Sequence, residues 1–289
     1  MEEIQKQIKI LEEEMLSPEF WSDKTNAQNI IKQISELKEK LAGNNKYDKG
    51  NAIMTIFSGA GGDDAEDFSR ILFEMYLKYF NKRGWTYQTI DQNENDNGGY
   101  RNITIEIFGK NIYGDLKGES GVHRLVRLSP FNAKNLRQTS FSMVEVVPQI
   151  EKDSNIQISE NDLKIEMSKA GGPGGQNVNK RETAVKIIHI PTNISVRSTS
   201  ERSQTQNKDK AMQILKGKIF AHNEEEKKAR EKGLYVSKSI SIDWGNQIRS
   251  YVFHPYKMIK DHRTNIETSN IDKVLDGDLD DFIEVEKAL

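Results

Sequence analysis

The stretch with the clearest capacity for chemistry is Gly171-Gly172-Pro173-Gly174-Gly175-Gln176-Asn177-Val178-Asn179-Lys180. Four glycines and a proline within five residues exclude a regular helix or a packed strand. They make an exposed loop whose backbone N–H groups can approach another surface with no side chain between. Two phosphate-cradling readings fail on spacing. A P-loop needs Lys-Ser/Thr directly after its last glycine, where Gln176-Asn177 stand, and a dinucleotide fingerprint needs glycine where Asn177 sits. Two readings remain open from the residues alone: a backbone-donor loop working at a surface, or a flexible hinge before a helix. Side-chain catalysis has little else to draw on. There is no Gly-x-Ser-x-Gly, no His-Glu-x-x-His and no cysteine. The five histidines (His123, His189, His222, His254, His262) are scattered, and each reads as structural rather than catalytic. Without cysteine, disulfides, thiol catalysis and cysteine-ligated zinc are excluded. No metal or cofactor is expected, and a reducing cytoplasm fits.

The elements that would position such a loop fall into three groups. In residues 1–42, Ile4, Ile8, Leu11 and Met15 repeat at helical spacing, as do Ile30, Ile34, Leu37 and Leu41, with Ser17-Pro18 as a helix start. This predicts a helical hairpin ended by Gly43-Asn44-Asn45. Next come a strand over 51–57, a turn at Gly59-Ala60-Gly61-Gly62 and an amphipathic helix through Phe68, Ile71, Leu72, Met75 and Tyr79, stopping near Gly84. A strand over 85–90, a polar loop over 91–99 and an alternating strand at Ile103, Ile105 and Ile107 follow. Two further strands over 122–128 and 139–147 flank an exposed loop. From 164 to 218 eleven basic residues face four acids, whereas 267–289 holds eight acids against two lysines. A basic middle between acidic ends places an anion-binding surface centrally, a feature that the net charge of −2 conceals. A long charged helix is expected over 207–232 and strand-like alternation over 237–252. No run approaches the length of a membrane span, and the N-terminus lacks the layout of a secretory signal.

Read as a string, Gly-Gly-Gln followed by Asn-Val-Asn-Lys resembles the catalytic loop of class-I peptide chain release factors and their ribosome-rescue relatives. Ser200-Glu201-Arg202-Ser203-Gln204 with Asn207-Lys208, Asp243-Trp244-Gly245-Asn246-Gln247-Ile248-Arg249-Ser250-Tyr251 and Lys260-Asp261-His262-Arg263-Thr264 match the same family. Upstream, Gly121-Val122-His123-Arg124-Leu125-Val126-Arg127 leads into Ser129-Pro130-Phe131. That tripeptide is similar to the codon-reading motif of the branch for UAA and UGA; the UAA and UAG branch carries a Pro-x-Thr type. The resemblance runs from about residue 50 to the C-terminus, with its motifs in the family's order.

The resemblance implies that Gly174, Gly175 and Gln176 promote hydrolysis of the peptidyl-tRNA ester, only together with the ribosome. Gln176 would admit and orient water and carry N5-methylation. It implies stop-codon contacts from Ser129, Pro130, Phe131, Gln138 and Thr139, and from Gly61 and Asp64 at a helix N-terminus. Lys180, Arg181, Arg202 and Lys208 would hold RNA phosphates, although a solvated helix face explains each equally well. The implied partners are both ribosomal subunits, the mRNA stop codon, peptidyl-tRNA, rRNA, a glutamine methyltransferase and a release-factor GTPase. A cytoplasmic monomer away from membranes is expected. Codon-independent ribosome rescue is the alternative.

The expected fold is multi-domain α+β. Residues 1–45 form a reduced helical hairpin, and residues 46–150 with 236–289 form a discontinuous α/β codon-reading sandwich. Residues 151–235 form an inserted catalytic α+β domain. Three departures stand out: Asp64 replaces the usual glutamate, Gln138 replaces a histidine that stacks on a codon base, and only about 45 residues precede the α+β domain. The last predicts weak coupling to the GTPase.

Overall fold

The computed structural model describes residues 47–132, 134, 136–150, 158–169, 182–231 and 245–287, with scattered positions between 7 and 34. The chain divides into two units, Met1–Lys49 and Gly50–Leu289. In the first, Ala27, Ile30 and Ile34 are helical and buried, and Leu11 and Met15 pack against them. Leu11, Met15, Ile30 and Ile34 are positions of the two apolar stripes read from the spacing, and Ala27 joins them.

The second unit is a mixed α+β assembly. Its strands and helices are β1 (Ala52–Ser58), α1 (Asp63–Arg83), β2 (Thr86–Glu94), β3 (Tyr100–Phe108), α2 (Ile112–Leu116), β4 (Gly121–Leu128) and β5 (Arg137–Pro148). Then follow β6 (Leu163–Ser168), β7 (Ala184–His189), β8 (Ile194–Ser198), α3 (Gln204–Glu231), β9 (Gln247–Val252), β10 (Met258–Asp261), β11 (Glu267–Thr268), α4 (Ile271–Leu275) and α5 (Asp280–Lys287). Eight strands form one sheet in the order β11-β10-β9-β4-β5-β1-β3-β2, and β6-β7-β8 form another. Every pairing is antiparallel except β4 with β9, which run parallel with Val126 opposite Val252. The strand expected over 237–252 is described only as β9; Ile240, Ile242 and Trp244 lie outside the described residues.

Alternation decides which face each strand buries. Met54, Ile56, Ile103, Ile105, Val144 and Val146 meet Phe68, Leu72, Met75, Tyr76 and Phe80 of α1 in the larger core. Each such side chain, fully buried, contributes about 1.5–3 kcal/mol. On the opposite face Ile53, Ile90 and Val147 join Val185, Ile187 and Val196 of the small sheet and Ala211, Ile214 and Leu215 of α3. The small sheet thus packs on the back of the large one. Lys218 Nζ pairs with Glu145 at 2.6 Å, and the Thr199 hydroxyl donates to Asp91 Oδ1 at 2.8 Å.

That last contact corrects one expectation. The polar run after Ile90 predicted a loop, yet β2 continues to Glu94 through a register shift between Thr89 and Asp91. Asp91 is 3% exposed, and a distant segment supplies its hydrogen bond. Burial raises its carboxyl above the usual range, against the hydroxyl and Arg197.

A buried ionic cluster ties the discontinuous sheet together. Arg249 on β9 is fully buried and donates to both oxygens of Glu119, each at 2.7 Å, and to Asp261 on β10 at 3.2 Å. Tyr76 of α1 donates to Glu119 at 2.7 Å, and the guanidinium lies 4.5 Å from the Phe282 ring centre. Arg263 bonds Asp261 at 2.9 Å and also pairs with Glu286 of α5. Burial pushes Asp261 up, but Arg263 and Arg249 hold it at about 2. Burial, then Arg249, pushes His123 down to about 4. Burial and the Glu119 charge push Glu286 up to about 7.

The last two shifts oppose each other in stability. Neutral burial of His123 stabilises the fold fully above its ordinary pKa of 6.5, and this is lost as pH falls toward 4. The raised Glu286 pKa stabilises the fold fully below its ordinary 4.5, and this is lost as pH rises through 7. In Glu286→Gln only the His123 slope remains of this pair. Between pH 4.5 and 7 its Tm relative to the parent is expected to climb with pH. Thermal melts across that window check this, and parallel profiles would exclude it.

Candidate functional site

The cleft of interest forms where three elements end together: the N-terminus of α1, the end of β4 and the start of β5. Gly61 and Gly62 turn the chain into α1 with φ of 139° and 58°. A Cβ on Gly61 would also stand 2.8 Å from Ser140 Oγ, so glycine is required both by conformation and by space. Gly62 caps α1 without a side chain, and its carbonyl accepts from Ala65 and Glu66. The N–H groups of Asp63 and Asp64 have no acceptor among the described residues and stand as donors at a helix N-terminus.

Beside them lies a carboxylate–hydroxyl–guanidinium relay. Ser129 Oγ, 2% exposed, donates to Asp64 Oδ2 at 2.5 Å and accepts from the Phe131 N–H at 3.2 Å. Arg127 Nη2 reaches Asp64 Oδ1 at 2.9 Å and Asp67 Oδ2 at 2.7 Å. Its guanidinium carbon lies 5.9 Å from the centre of the Phe131 ring, which is 41% exposed. Arg127 therefore aims Asp64 at Ser129 and supports the aromatic ring at once. Gly61, Asp64, Ser129, Phe131 and Gln138 line an open cleft of about 380 Å³ with Asp63 and Asn132.

Five expected residues thus share one cleft, and two do not line it. Pro130 is exposed at the tip of the turn. Thr139 lies opposite Val126 in register, one residue on from Gln138, so its exposed side chain faces the other side of the sheet. Gly174, Gly175, Gln176, Lys180 and Arg181 lie outside the described residues. Arg202 is exposed and Lys208 half-buried, both at the start of the α3 region and away from the cleft.

Two side chains that hold these segments in place were not assigned roles from sequence. Arg127 sits two residues before Ser129, and strand alternation continued past β4 would have put both on one face. Asn207 is fully buried: its amide donates to the Thr183 and Glu201 carbonyls at 2.8 Å, and its oxygen accepts from Ser198 and the Glu201 N–H. It pins Thr183, just after the glycine-rich segment, to the helix start. Its neighbouring motif residues marked it, but nothing local showed that every polar valence would be used.

Comparison with known proteins identifies the family. The family model described as PCRF domain matches residues 35–144, and that described as RF-1 domain matches residues 150–263. Peptide chain release factor 2 of Clostridium perfringens is 46% identical over 269 residues, covering 91% of this chain and 74% of the relative. The protein of that name from Thermotoga maritima is 47% identical over 259 residues, covering 90% and 70%. That of Listeria monocytogenes is 40% identical over 323 residues, covering 94% and 88%. The last alignment is longer than this chain, so the relative carries residues with no counterpart here. A solved structure of RF2 of Thermus thermophilus superposes with a TM-score of 0.73 at 36% identity, covering 97% of this chain and 80% of that one.

Proposed function

Because this chain belongs to the peptide chain release factor 2 family, we propose that it ends translation by reading UAA and UGA and triggering peptidyl-tRNA hydrolysis. The observation that carries the codon reading is the Ser129–Asp64 hydrogen bond at the rim of the α1 cleft. A hydroxyl that donates to a carboxylate and accepts one N–H keeps a lone pair for the amino group of adenine. Rotated off Asp64, the same hydroxyl donates to the O6 of guanine. This tolerance of either purine is what separates a UAA and UGA reader from a stricter one. The N–H donors of Asp63 and Asp64 suit the carbonyl oxygen of a first-position uracil, and they would face the amino group of cytosine donor to donor. Pro130 stiffens the turn that carries Ser129, and Phe131 packs or stacks beside the bases. Gln138 stands where a base could lie in the cleft, and Thr139 offers a hydroxyl to a base on the opposite face.

The chemistry belongs to Gly174, Gly175 and Gln176 inserted into a site built by ribosomal RNA. The backbone N–H of Gln176 would meet the charge developing as water attacks the ester, while its side chain orients the water. Such a preorganised donor contributes about 2.7–4 kcal/mol in comparable sites. Lys180, Arg181, Arg202 and Lys208 would hold rRNA and tRNA phosphates. The same reading brings in both ribosomal subunits, the mRNA, a methyltransferase for Gln176 and a recycling GTPase, and places a monomeric factor in the cytoplasm. Among the described residues no helix is long and apolar enough to cross a membrane.

The test is peptide release from ribosomes programmed with UAA, UGA, UAG or UGG, using the parent, Gln138→Ala and Gln138→His. The parent is expected to act on UAA and UGA. An imidazole stacks as a rigid plane where a glutamine amide must first be ordered, so Gln138→His should keep the codon choice. It should also bind roughly fivefold tighter, about 1 kcal/mol, at the low end of base–aromatic stacking. Activity on UAG but not UGA would overturn the codon assignment, and equal release at sense codons would favour ribosome rescue.

A further inference from the structure

The first turn of α1 has no side-chain cap of its own, yet its N–H groups must hold position if they are to read a base. On one side it is tied to β5: Gly59 N–H donates to the Phe141 carbonyl at 2.8 Å, and Phe141 N–H to that of Ala60 at 2.9 Å. On the other side stands the tip of the β2–β3 hairpin, which lines no part of the cleft. Asn95 closes that tip, its Oδ1 accepting from the N–H groups of Asn97 at 2.9 Å and Gly99 at 2.7 Å. Its amide then donates to Glu66 Oε2 at 2.5 Å, while Arg101 reaches Glu66 Oε1 at 3.2 Å. Gly99 is buried against the helix: a Cβ there would stand 2.7 Å from the Glu66 carbonyl carbon and 2.9 Å from the Asp67 nitrogen.

The hairpin therefore touches the peptide linking Glu66 to Asp67, one residue from Ala65 and two from Asp64. It also takes up the charge of Glu66 in a turn that holds Asp63 and Asp64 as well. Left unpaired, a third carboxylate would repel an approaching RNA chain and be free to compete for the helix N–H donors.

We infer that the β2–β3 hairpin tip, through Asn95 and Gly99, is a positioning element for reading the first base of the codon. It acts through α1: it sets where the Asp63 and Asp64 N–H groups point and keeps Glu66 turned away from them. The inference rests on the stop-codon reading above, and the experiment separates the two.

Asn95→Asp keeps the oxygen that closes the tip but sets a carboxylate against Glu66. Adding Glu66→Gln restores an amide opposite a carboxylate with donor and acceptor exchanged. Release is measured over a range of factor concentrations on UAA, on CAA, which changes the first base, and on UAG, which changes the third. For Asn95→Asp the half-saturating concentration on UAA is expected to rise about tenfold, the low end for losing a hydrogen bond to a charged group. The saturating rate should stay within about twofold, since chemistry occurs elsewhere. Discrimination against CAA should fall by a similar factor of about ten, while discrimination against UAG is kept. The double variant should recover the parent values, and Gly99→Ala should shift them in the same direction as Asn95→Asp. A merely structural role would lower the melting temperature and active fraction, with UAA and CAA release falling in parallel. That outcome, or failure of the double variant to restore discrimination, overturns the inference. A parent protein that does not distinguish UAA from CAA would instead overturn the decoding function itself.

Discussion

Gly175→Ala is expected to leave binding to UAA-programmed ribosomes within about twofold of the parent while slowing peptide release at least about a hundredfold. The expectation follows from what the chain lacks. With no cysteine and no serine-hydrolase or zinc-hydrolase pattern, the proposed contribution to ester hydrolysis is the placing of a backbone donor and the exclusion of misplaced water. On the proposed mechanism, a Cβ beside Gln176 would remove the dihedral freedom by which the N–H reaches the developing charge, and the loss would be that of a whole oxyanion-type donor. Gln176→Ala should be milder, because its backbone N–H survives. Binding is expected to be spared because the cleft proposed to read the codon is lined by Gly61, Asp64, Ser129, Phe131 and Gln138, none of them in this loop. Single-turnover release with saturating factor separates the two effects. A parent-like rate would show that donor placement is not how the loop works.

The second large effect concerns stability. Arg249→Met removes the buried guanidinium that pairs with both Glu119 and Asp261 while keeping similar bulk. Glu119 and Arg249 are each fully buried, so the carboxylate is left uncompensated in a low-dielectric interior. Breaking such a pair from one side costs about 3–5 kcal/mol. Against a total stability of about 5–15 kcal/mol, that is a large fraction. Urea unfolding should show a lower midpoint at unchanged slope, and a shift under about 1 kcal/mol would mean that Glu119 takes up a proton or water at little cost. Glu119→Gln should be gentler, since its amide oxygen still accepts from Tyr76 or Arg249.

How much of this was legible in the sequence depended on distance along the chain. The helix through Phe68, Leu72, Met75 and Tyr79 and the strand at Ile103, Ile105 and Ile107 follow from period alone, because one continuous face is buried. The polar continuation of β2 did not, since Asp91 is made tolerable by Thr199, more than a hundred residues away. The parallel pairing of β4 with β9 leaves no local trace either. At the cleft, motif resemblance gave Ser129, Phe131, Gln138, Gly61 and Asp64, and also Pro130 and Thr139, which do not line it. The roles of Arg127 and Asn95 needed the geometry, since an arginine in a strand and an asparagine in a turn are ordinary until their partners are known.

The same β4–β9 pairing bears on how the protein is made. Glu119 and Arg249 are 130 residues apart, so a nascent chain must bury or hydrate the carboxylate long before its cation exists. At about 5–20 residues per second the wait is on the order of ten seconds, during which β4 keeps one edge unpaired. The inserted segment carrying the glycine-rich loop is synthesised within that interval. A copy broken off between about residue 182 and Gln247 would carry the glycine-rich loop and the cleft residues but lack β9, the strand that pairs with the free edge of β4. Such a copy has no Arg249 to pair with the buried Glu119, so it is expected to be less stable than the full chain.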